Sequence, residues 1–211
     1  MKKILSIVSD RRSIFLLLAK KAVEHPNMIF GGIFSLLNGF YYRIKFLLFF
    51  KKANIGKFFR VYGKIDLFGL GSVSIGDNCV IQGKLFGKVT IMTIFKHSEV
   101  IIGNNVSFNG TTIICYDKIT IGDNSIISNA YIIDSTGHSL SIDRGLIPDE
   151  QLEALPVNIG KNVWISVSVV VLHGVEIGDN SVIGACSLVR KSIPPNSLYA
   201  GNPLKFIKKI C

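Results

Sequence analysis

The chain of 211 residues is 48% hydrophobic and 18% charged, which excludes a disordered protein and fits one folded core with a small appendage. Its net charge of +10 lies in the first 60 residues, where twelve bases face two acids, while bases and acids cancel over the remainder. Positive charge concentrated in one segment indicates a docking surface, whereas evenly spread charge would indicate only solubility. The four cysteines lie far apart without a CxxC pair, which excludes a zinc knuckle and a dense disulfide framework.

Residues 1–54 are predicted to form a basic N-terminal helical segment. One helix covers Ser13 to Glu24 and ends near Pro26, and a second, rich in aromatic side chains, runs from about Phe30 to Lys52. Charges interrupt the apolar stretches before they reach the length of a membrane-spanning helix. Two interpretations stay open: the helices cap the domain that follows, or they lie on an anionic membrane surface. Nucleic-acid binding is not expected, because no recognition motif accompanies the charge.

From Ile55 onward, aliphatic residues recur at every sixth position. The series are Ile55, Val61, Leu67 and Val73; Ile102, Phe108 and Ile114; Ile121, Ile127 and Ile133; and Ile159, Ile165, Val171, Ile177, Ile183 and Val189. A period of six fits neither an amphipathic helix nor an alternating strand, and is typical of a hexapeptide-repeat solenoid. The sequence therefore predicts an all-β solenoid over residues 55–203, with three faces per coil of about 18 residues and Asn or Gly at the corners.

The period of six is interrupted twice. Residues 82–100 are irregular and predict a distorted coil. Residues 138–156 lose the period, gain charge and contain two prolines, which predicts a loop ejected from one corner. Long insertions into a regular scaffold often carry function. Residues 204–211 are predicted to be a basic C-terminal tail.

Several motifs in the second half of the chain are similar to those of a known family. They are IGDN at 121–124, STGH at 135–138, PVNIGKNVWI at 156–165, IGDNSVIGA at 177–185 and IPPNSLYAGNP at 193–203. With these motifs, residues 100–210 resemble the hexapeptide-repeat O-acetyltransferases, a group that includes maltose, galactoside and many surface-polysaccharide acetyltransferases. The resemblance implies a left-handed parallel β-helix, a homotrimer with active sites between subunits, and acetyl-CoA bound in the groove between two β-helices.

The resemblance also implies roles for individual residues. His138 matches the catalytic histidine, and Asn109 matches an active-site asparagine. The residues implied to line the acetyl-CoA site are Trp164, Ser166, Val167, Ala185, Arg190, Lys191 and Lys208. Ser166 and Val167 depart from the smaller residues that are usual there, and Arg190 replaces a small polar residue.

His138 has the chemistry of a general base for acetyl transfer to a hydroxyl, because an imidazole titrates near neutral pH. Asp134 is a further catalytic candidate, and three roles stay open for it: orienting the imidazole, binding the sugar, or capping a corner. Asn109 is a candidate for holding the acceptor or the histidine, although asparagine at a corner is also ordinary. Lys208 would offer a point charge to the phosphates of CoA.

Three other residues receive less specific interpretations. His173 is predicted to be an exposed residue near the CoA groove, and His97 has no assigned role. Together with His138 they lack the spacing of a known zinc triad of this fold, so no metal is expected. Cys115 is interpreted as a buried core residue rather than a nucleophile, because no base neighbours it in sequence.

The sequence thus predicts an acetyl-CoA-dependent O-acetyltransferase that acts on a sugar hydroxyl of a surface polysaccharide or its lipid-linked precursor. The predicted location is cytoplasmic, with peripheral association at the inner face of the cell membrane as an open addition. The alternatives are transfer to a small soluble acceptor, N-acetylation of an amino sugar, an acyl-carrier-protein donor, or a non-catalytic β-helix scaffold. A scaffold would need only the period of six and not the STGH motif, the ejected loop and the AGNP motif together.

Overall fold

The computed structural model describes residues 26–50, 52–83, 86–139, 141–142 and 152–210. Within these residues, a single helix, α1 (Pro26–Phe49), precedes twenty short strands. α1 begins at Pro26 and ends three residues before the predicted Lys52. The helix predicted at Ser13 to Glu24 lies outside the described residues.

The strands form three sheets, named here faces A, B and C. Face A consists of β1 (Ala53–Ile55), β4 (Ser72–Ile75), β7 (Glu99–Ile102), β10 (Lys118–Ile121), β13 (Val157–Ile159) and β16 (Glu176–Ile177). Face B consists of β2 (Arg60–Val61), β5 (Val80–Ile81), β8 (Ser107–Asn109), β11 (Ile126–Ser128), β14 (Trp164–Ile165), β17 (Val182–Ile183), β19 (Ser197–Ala200) and β20 (Lys205–Lys209). Face C consists of β3 (Ile65–Gly69), β6 (Val89–Thr93), β9 (Thr112–Cys115), β12 (Tyr131–Ile133), β15 (Val170–Val171) and β18 (Leu188–Val189).

Neighbouring strands are three apart in sequence, except for β17 with β19 and β19 with β20 on face B, so the regular coils contribute one strand to each face. All of these pairs are parallel except β19 with β20. This arrangement confirms the predicted all-β solenoid, which has about seven turns and matches a left-handed β-helix.

The core is built from aligned aliphatic columns, one inside each face. Parallel pairing places Ile121 against Ile159 on face A and Ile127 against Ile165 on face B. All six aliphatic residues of the series from Ile159 to Val189 are buried, which confirms the period of six there. A single coil cannot bury its own inward side chains, so their burial depends on the coils stacked above and below it.

The predicted phase is wrong at Ile114 and Ile133. On face C the inward side chains are Ile113 and Ile132, which are fully buried and pair with each other. The corners that follow Phe108 and Ile127 are one residue shorter than the repeat, so the inward position comes five residues later. Ile114 consequently faces away from the core and is half-buried.

Asparagines form the corner between faces A and B, as the sequence predicts. Six of them have φ between 54° and 61°, a region that asparagine tolerates better than most residues: Asn78, Asn105, Asn124, Asn162, Asn180 and Asn196. Their side chains also link successive coils, since Asn162 Nδ2 donates to Asn180 Oδ1 and Asn180 Nδ2 to Asn196 Oδ1, each at 2.9 Å.

The two predicted interruptions differ in structure. Around residues 82–100 the strands β6 and β7 keep their parallel register, so the irregularity is confined to the corners on either side of β6. Between β12 and β13 the chain leaves the solenoid. An isolated antiparallel bridge joins Ser135 to Ala154 at the base of this excursion, and the Leu155 N–H donates to the Asp134 carbonyl at 2.8 Å.

A helix covers one end of the solenoid, and an extra strand extends one face at the other. α1 packs a buried stripe of Ser35, Gly39, Tyr42 and Phe46 on the first coil, and Asn38 Nδ2 donates to the Val61 carbonyl on the edge strand β2 at 2.9 Å. At the opposite end, residues predicted to be a tail form β20, antiparallel to β19. No helix in the described part of the chain is both long and apolar enough to cross a bilayer.

Candidate functional site

One corner of the prism, the edge between faces C and A, collects most of the titratable candidates. Successive coils place there His97, then Tyr116, then Asp134 with the excursion that carries His138, then His173, and finally Arg190 with Lys191. The sequence positions of these residues are far apart, and only the stacking of coils aligns them. This line of residues is called edge CA below.

His138 is exposed on the first part of the excursion. Gly137 directly before it has φ +74°, and its N–H donates to Ser135 Oγ at 3.2 Å. A residue with a side chain would be strained in this turn, so glycine allows the chain to bend sharply at the bridge and present the next residue. The His138 imidazole makes no hydrogen bond to any described residue.

Asp134 is fully buried, and its carboxylate caps the corner one coil above. Oδ1 accepts from the Tyr116 N–H at 2.7 Å and Oδ2 from the Asp117 N–H at 2.8 Å. Burial raises the pKa of this carboxyl above its usual value, and the backbone hydrogen bonds oppose that shift. Of the three roles left open by the sequence, this geometry favours corner capping, because neither oxygen bonds to His138.

Cys115 is buried beside this carboxylate, with Sγ 3.5 Å from Asp134 Oδ2. Burial, together with the negative charge of Asp134, raises the pKa of the thiol far above its usual value. A thiol that resists ionisation is a poor nucleophile, which agrees with the predicted core role.

Asn109 ends β8, on the different edge that joins faces B and C. Its backbone carbonyl accepts from the Asn129 N–H, but its side-chain Oδ1 is buried without a hydrogen-bond partner among the described residues. A buried acceptor of this kind is costly unless a ligand or a partner supplies the donor. Within one protomer, the width of face C separates Asn109 from His138.

His173 differs from its predicted exposure. It is half-buried, and its Nδ1 is buried without a partner among the described residues. The next residue, Gly174, donates its N–H to the Leu155 carbonyl at 2.9 Å, so His173 lies where the excursion rejoins the solenoid. The sequence does not show on which coil the end of the excursion packs, so it could not predict that His173 is half-buried.

The edge between faces B and C also carries three residues of the predicted acetyl-CoA site. Ser166 and Val167 are half-buried and Ala185 is exposed. The corners stack directly, since the Cys186 N–H donates to the Val167 carbonyl at 3.0 Å. Ser168 and Cys186 both have φ +57°, a conformation that non-glycine residues seldom adopt. Asn109 and these corners form one continuous line, called edge BC below.

The other residues of the predicted acetyl-CoA site lie on other parts of the C-terminal coils. Trp164 is 51% exposed on the outside of face B, and Lys208 is exposed on β20 of the same face. Arg190 and Lys191 line a cavity of about 310 Å³ together with Tyr199 and Leu204 at the open end of the solenoid. The structure therefore brings Ser166, Val167 and Ala185 together but places the others in two further groups.

The arrangement combines an exposed imidazole, cationic side chains beside a partly apolar cavity, and an unpartnered amide oxygen. Such groups can accept a proton, bind phosphate and hold a polar acceptor, respectively. The described residues contain no cluster of three or more His, Cys, Asp or Glu side chains that could hold a metal ion.

Comparisons with known proteins match this architecture. Residues 156–191 match the family model for the bacterial transferase hexapeptide (six repeats). The chain is 44% identical over 140 residues to the galactoside O-acetyltransferase of Escherichia coli (strain K12), covering 65% of this chain and 64% of that protein. The chain thus spans slightly less than two thirds of that relative.

A second relative is covered more fully. The chain is 36% identical over 147 residues to the "Putative lipopolysaccharide biosynthesis O-acetyl transferase WbbJ" of Escherichia coli (strain K12), covering 66% of this chain and 72% of that protein. The solved structure of a galactoside acetyltransferase in complex with coenzyme A superposes with a TM-score of 0.50 at 25% identity, over 86% of this chain and 83% of that one. The chain therefore belongs to the hexapeptide-repeat acetyltransferase family.

Proposed function

We propose that this chain is an acetyl-CoA-dependent O-acetyltransferase that acts on a sugar hydroxyl, with His138 as the general base. The observation that carries the proposal is the placement of the STGH motif. A bridged excursion and a left-handed glycine expose the His138 imidazole at edge CA, where none of the described residues forms a hydrogen bond with it. The names of the two O-acetyltransferase relatives support a hydroxyl acceptor.

The acyl donor would supply an activated acetyl thioester. Arg190, Lys191 and Lys208 are suited to its phosphates, because lysine and arginine are the usual cationic partners of phosphate in proteins. Ser166, Val167 and Ala185 along edge BC would line its pantetheine arm. The cavity beside Arg190 and Lys191 offers apolar surface from Tyr199 and Leu204 next to positive charge, which fits a ligand with both characters.

A homotrimer is part of the proposal. In one protomer His138 and Asn109 lie on different edges, and in a three-fold assembly of prisms edge CA of one protomer faces a different edge of its neighbour. If that edge is BC, the neighbour's Asn109 approaches the imidazole or the acceptor, and its buried Oδ1 gains the donor that no described residue of its own chain supplies.

The chemical step then needs few groups. The His138 imidazole takes the proton of the sugar hydroxyl as the hydroxyl oxygen attacks the acetyl carbonyl carbon, and it returns the proton to the departing CoA sulfur. A positioned base contributes roughly 10²–10⁴-fold in rate. The alignment of both substrates between two rigid β-helices would supply the remainder.

The proposed acceptor is a sugar of a surface polysaccharide or its lipid-linked precursor, modified at the inner face of the cell membrane. The lipopolysaccharide relative supports this class. The concentration of positive charge and apolar residues in residues 1–60 supports a location at an anionic membrane.

The first test combines binding with turnover. Acetyl-CoA is titrated calorimetrically into the full chain, and release of the CoA thiol is then followed with a panel of saccharide and amino-sugar acceptors. His138→Ala is expected to retain binding and to lose about 10²–10⁴-fold in kcat/KM. His97→Ala is the matched control, because His97 is an exposed histidine on the same edge, two coils away.

The outcomes are distinct. Retained turnover in His138→Ala would remove the assigned base, and absence of acetyl-CoA binding would remove the donor. Turnover with amino sugars alone would replace O-acetylation by N-acetylation. Sedimentation at the mass of a single chain would contradict the trimer.

A further inference from the structure

α1 carries two apolar stripes rather than one. Ser35, Gly39, Tyr42 and Phe46 face the first coil and are buried. Twelve other large hydrophobic side chains on α1 are 41% to 82% exposed: Ile29, Phe30, Ile33, Phe34, Leu36, Leu37, Phe40, Tyr41, Ile44, Leu47, Leu48 and Phe49. The second set is called the outer stripe.

The outer stripe cannot reach the solenoid by a small rotation of the helix. An α-helix turns about 100° per residue, so Leu37 and Ile44 point roughly opposite to the buried Tyr42 and Phe46. The helix is also fixed in place, because a Cβ on Gly39 would lie 1.8 Å from the Phe59 carbonyl oxygen. The outer stripe therefore needs a different apolar surface, since monomeric proteins seldom expose a patch of this extent.

The charges around the outer stripe indicate which surface that is. Residues 26–60 contain six bases and neither an aspartate nor a glutamate. Arg43 and Lys45 lie on the two flanks of α1, between the outer and the buried stripes. A second copy of the chain would bring the same positive charge against this one, whereas an anionic bilayer neutralises it.

We infer that α1 lies flat in the interface of an anionic lipid bilayer, with the outer stripe in the acyl region and Arg43 and Lys45 at the level of the phosphates. Long basic side chains at such flanks reach the headgroups while their stems stay in apolar surroundings. A cavity of about 180 Å³ between α1 and the first coil is lined by Phe40, Phe58 and Arg43 among others, and it adds apolar surface beside a cation.

This orientation defines the acceptor class more closely, a step that rests on the proposed function. His138 belongs to the fourth coil and α1 covers the first, so three coil steps separate them, roughly 15 Å at the spacing of parallel strands. A base held at a fixed short distance above the bilayer fits a saccharide that is still attached to its lipid.

The test measures co-sedimentation of the full chain with vesicles of phosphatidylcholine, with and without about one third phosphatidylglycerol. The wild type is expected to bind only the anionic vesicles and to dissociate at high salt. Leu37→Glu with Ile44→Glu should abolish binding, while Ile142→Glu, at a still more exposed apolar position outside α1, should not change it. Arg43→Gln with Lys45→Gln should weaken binding about 25-fold, and Lys205→Gln with Lys209→Gln far less.

Absence of wild-type binding to anionic vesicles overturns the inference, as does undiminished binding by the outer-stripe variant. Dissociation of an oligomer by Leu37→Glu with Ile44→Glu would assign the stripe to a second copy instead. Circular dichroism confirms that each variant is folded. Turnover of soluble and of lipid-linked saccharides separates the two proposals: turnover without vesicle binding removes only the membrane inference, and vesicle binding without turnover of either acceptor removes only the enzyme.

Discussion

The Tyr116 N–H donates to Oδ1 of Asp134 at 2.7 Å, across two successive coils of the solenoid. The adjacent Asp117 N–H donates to the other carboxylate oxygen at 2.8 Å. Asp134 is also the residue whose carbonyl accepts from Leu155, where the chain returns from the excursion that presents His138. Asp134 thus joins the corner above, through its buried carboxylate, to the base of the candidate catalytic loop, through its backbone carbonyl.

Replacing Asp134 by alanine should destabilise the fold, because the N–H groups of two half-buried residues lose their acceptor. The expected loss in the free energy of unfolding is on the order of 1–3 kcal/mol, measured by chemical denaturation at neutral pH and fixed protein concentration. Asp66→Ala is the control, since Asp66 forms only an exposed ion pair with Lys88 and should cost less than about 1 kcal/mol. Equal effects of the two substitutions would contradict the capping role.

Asp134 should also make stability depend on pH. Because burial raises the pKa of Asp134 above its usual 3.8, the folded chain holds a proton that the unfolded chain releases between these two pKa values. Stability from this group is therefore greatest below pH 3.8 and decreases as pH rises through the raised pKa. The free energy of unfolding of wild type minus that of Asp134→Asn should fall over this window. If this difference in the free energy of unfolding instead rises with pH, the pKa of Asp134 is lowered in the folded chain.

Two glycines of α1 should respond in opposite ways to alanine. Gly39→Ala places a Cβ against the Phe59 carbonyl oxygen and should lift α1 from the first coil, which lowers the thermal midpoint. Gly32→Ala meets nothing within 4 Å and should stabilise the helix by up to about 1 kcal/mol through helix propensity. If both variants gain stability, α1 is not packed on the first coil in solution.

Asn109 should separate activity from stability. Its Oδ1 has no hydrogen-bond partner in the described part of the chain, so Asn109→Ala is expected to leave the stability of the protomer unchanged or slightly higher. The same substitution should lower kcat/KM about tenfold to hundredfold if this oxygen holds the acceptor or the imidazole. Asn158→Ala is the control, because the Asn158 side chain is exposed on face A and, among the described residues, accepts a hydrogen bond only from the Thr120 hydroxyl. Full activity in Asn109→Ala would exclude Asn109 from the site.

Cys186 should report acetyl-CoA binding. It is exposed on edge BC, whereas Cys79 is buried and burial raises the pKa of its thiol to about 11. In a Cys211→Ser background, a thiol reagent should therefore label Cys186 selectively, and acetyl-CoA should slow that labelling. Mass spectrometry of the labelled peptides measures both effects. Labelling that is indifferent to acetyl-CoA would place the donor away from edge BC.

The sequence by itself determined the solenoid. The series from Ile159 to Val189 and the corner asparagines such as Asn180 are local patterns, because each hexapeptide needs one inward aliphatic side chain and one tolerant corner. The same local reasoning failed at Ile114, where a corner shorter by one residue shifted the phase without a visible signal in composition.

The functional residues divide in the same way. The STGH motif is sufficient to propose His138 as the base, and the turn at Gly137 is local to that motif. The partners of Asp134, the half-buried position of His173 and the separation of Asn109 from His138 depend on which residues lie above one another in coils 17 or more positions apart. Only stacking of the coils decides those contacts, because inter-coil register is set by the summed lengths of all corners and excursions between them.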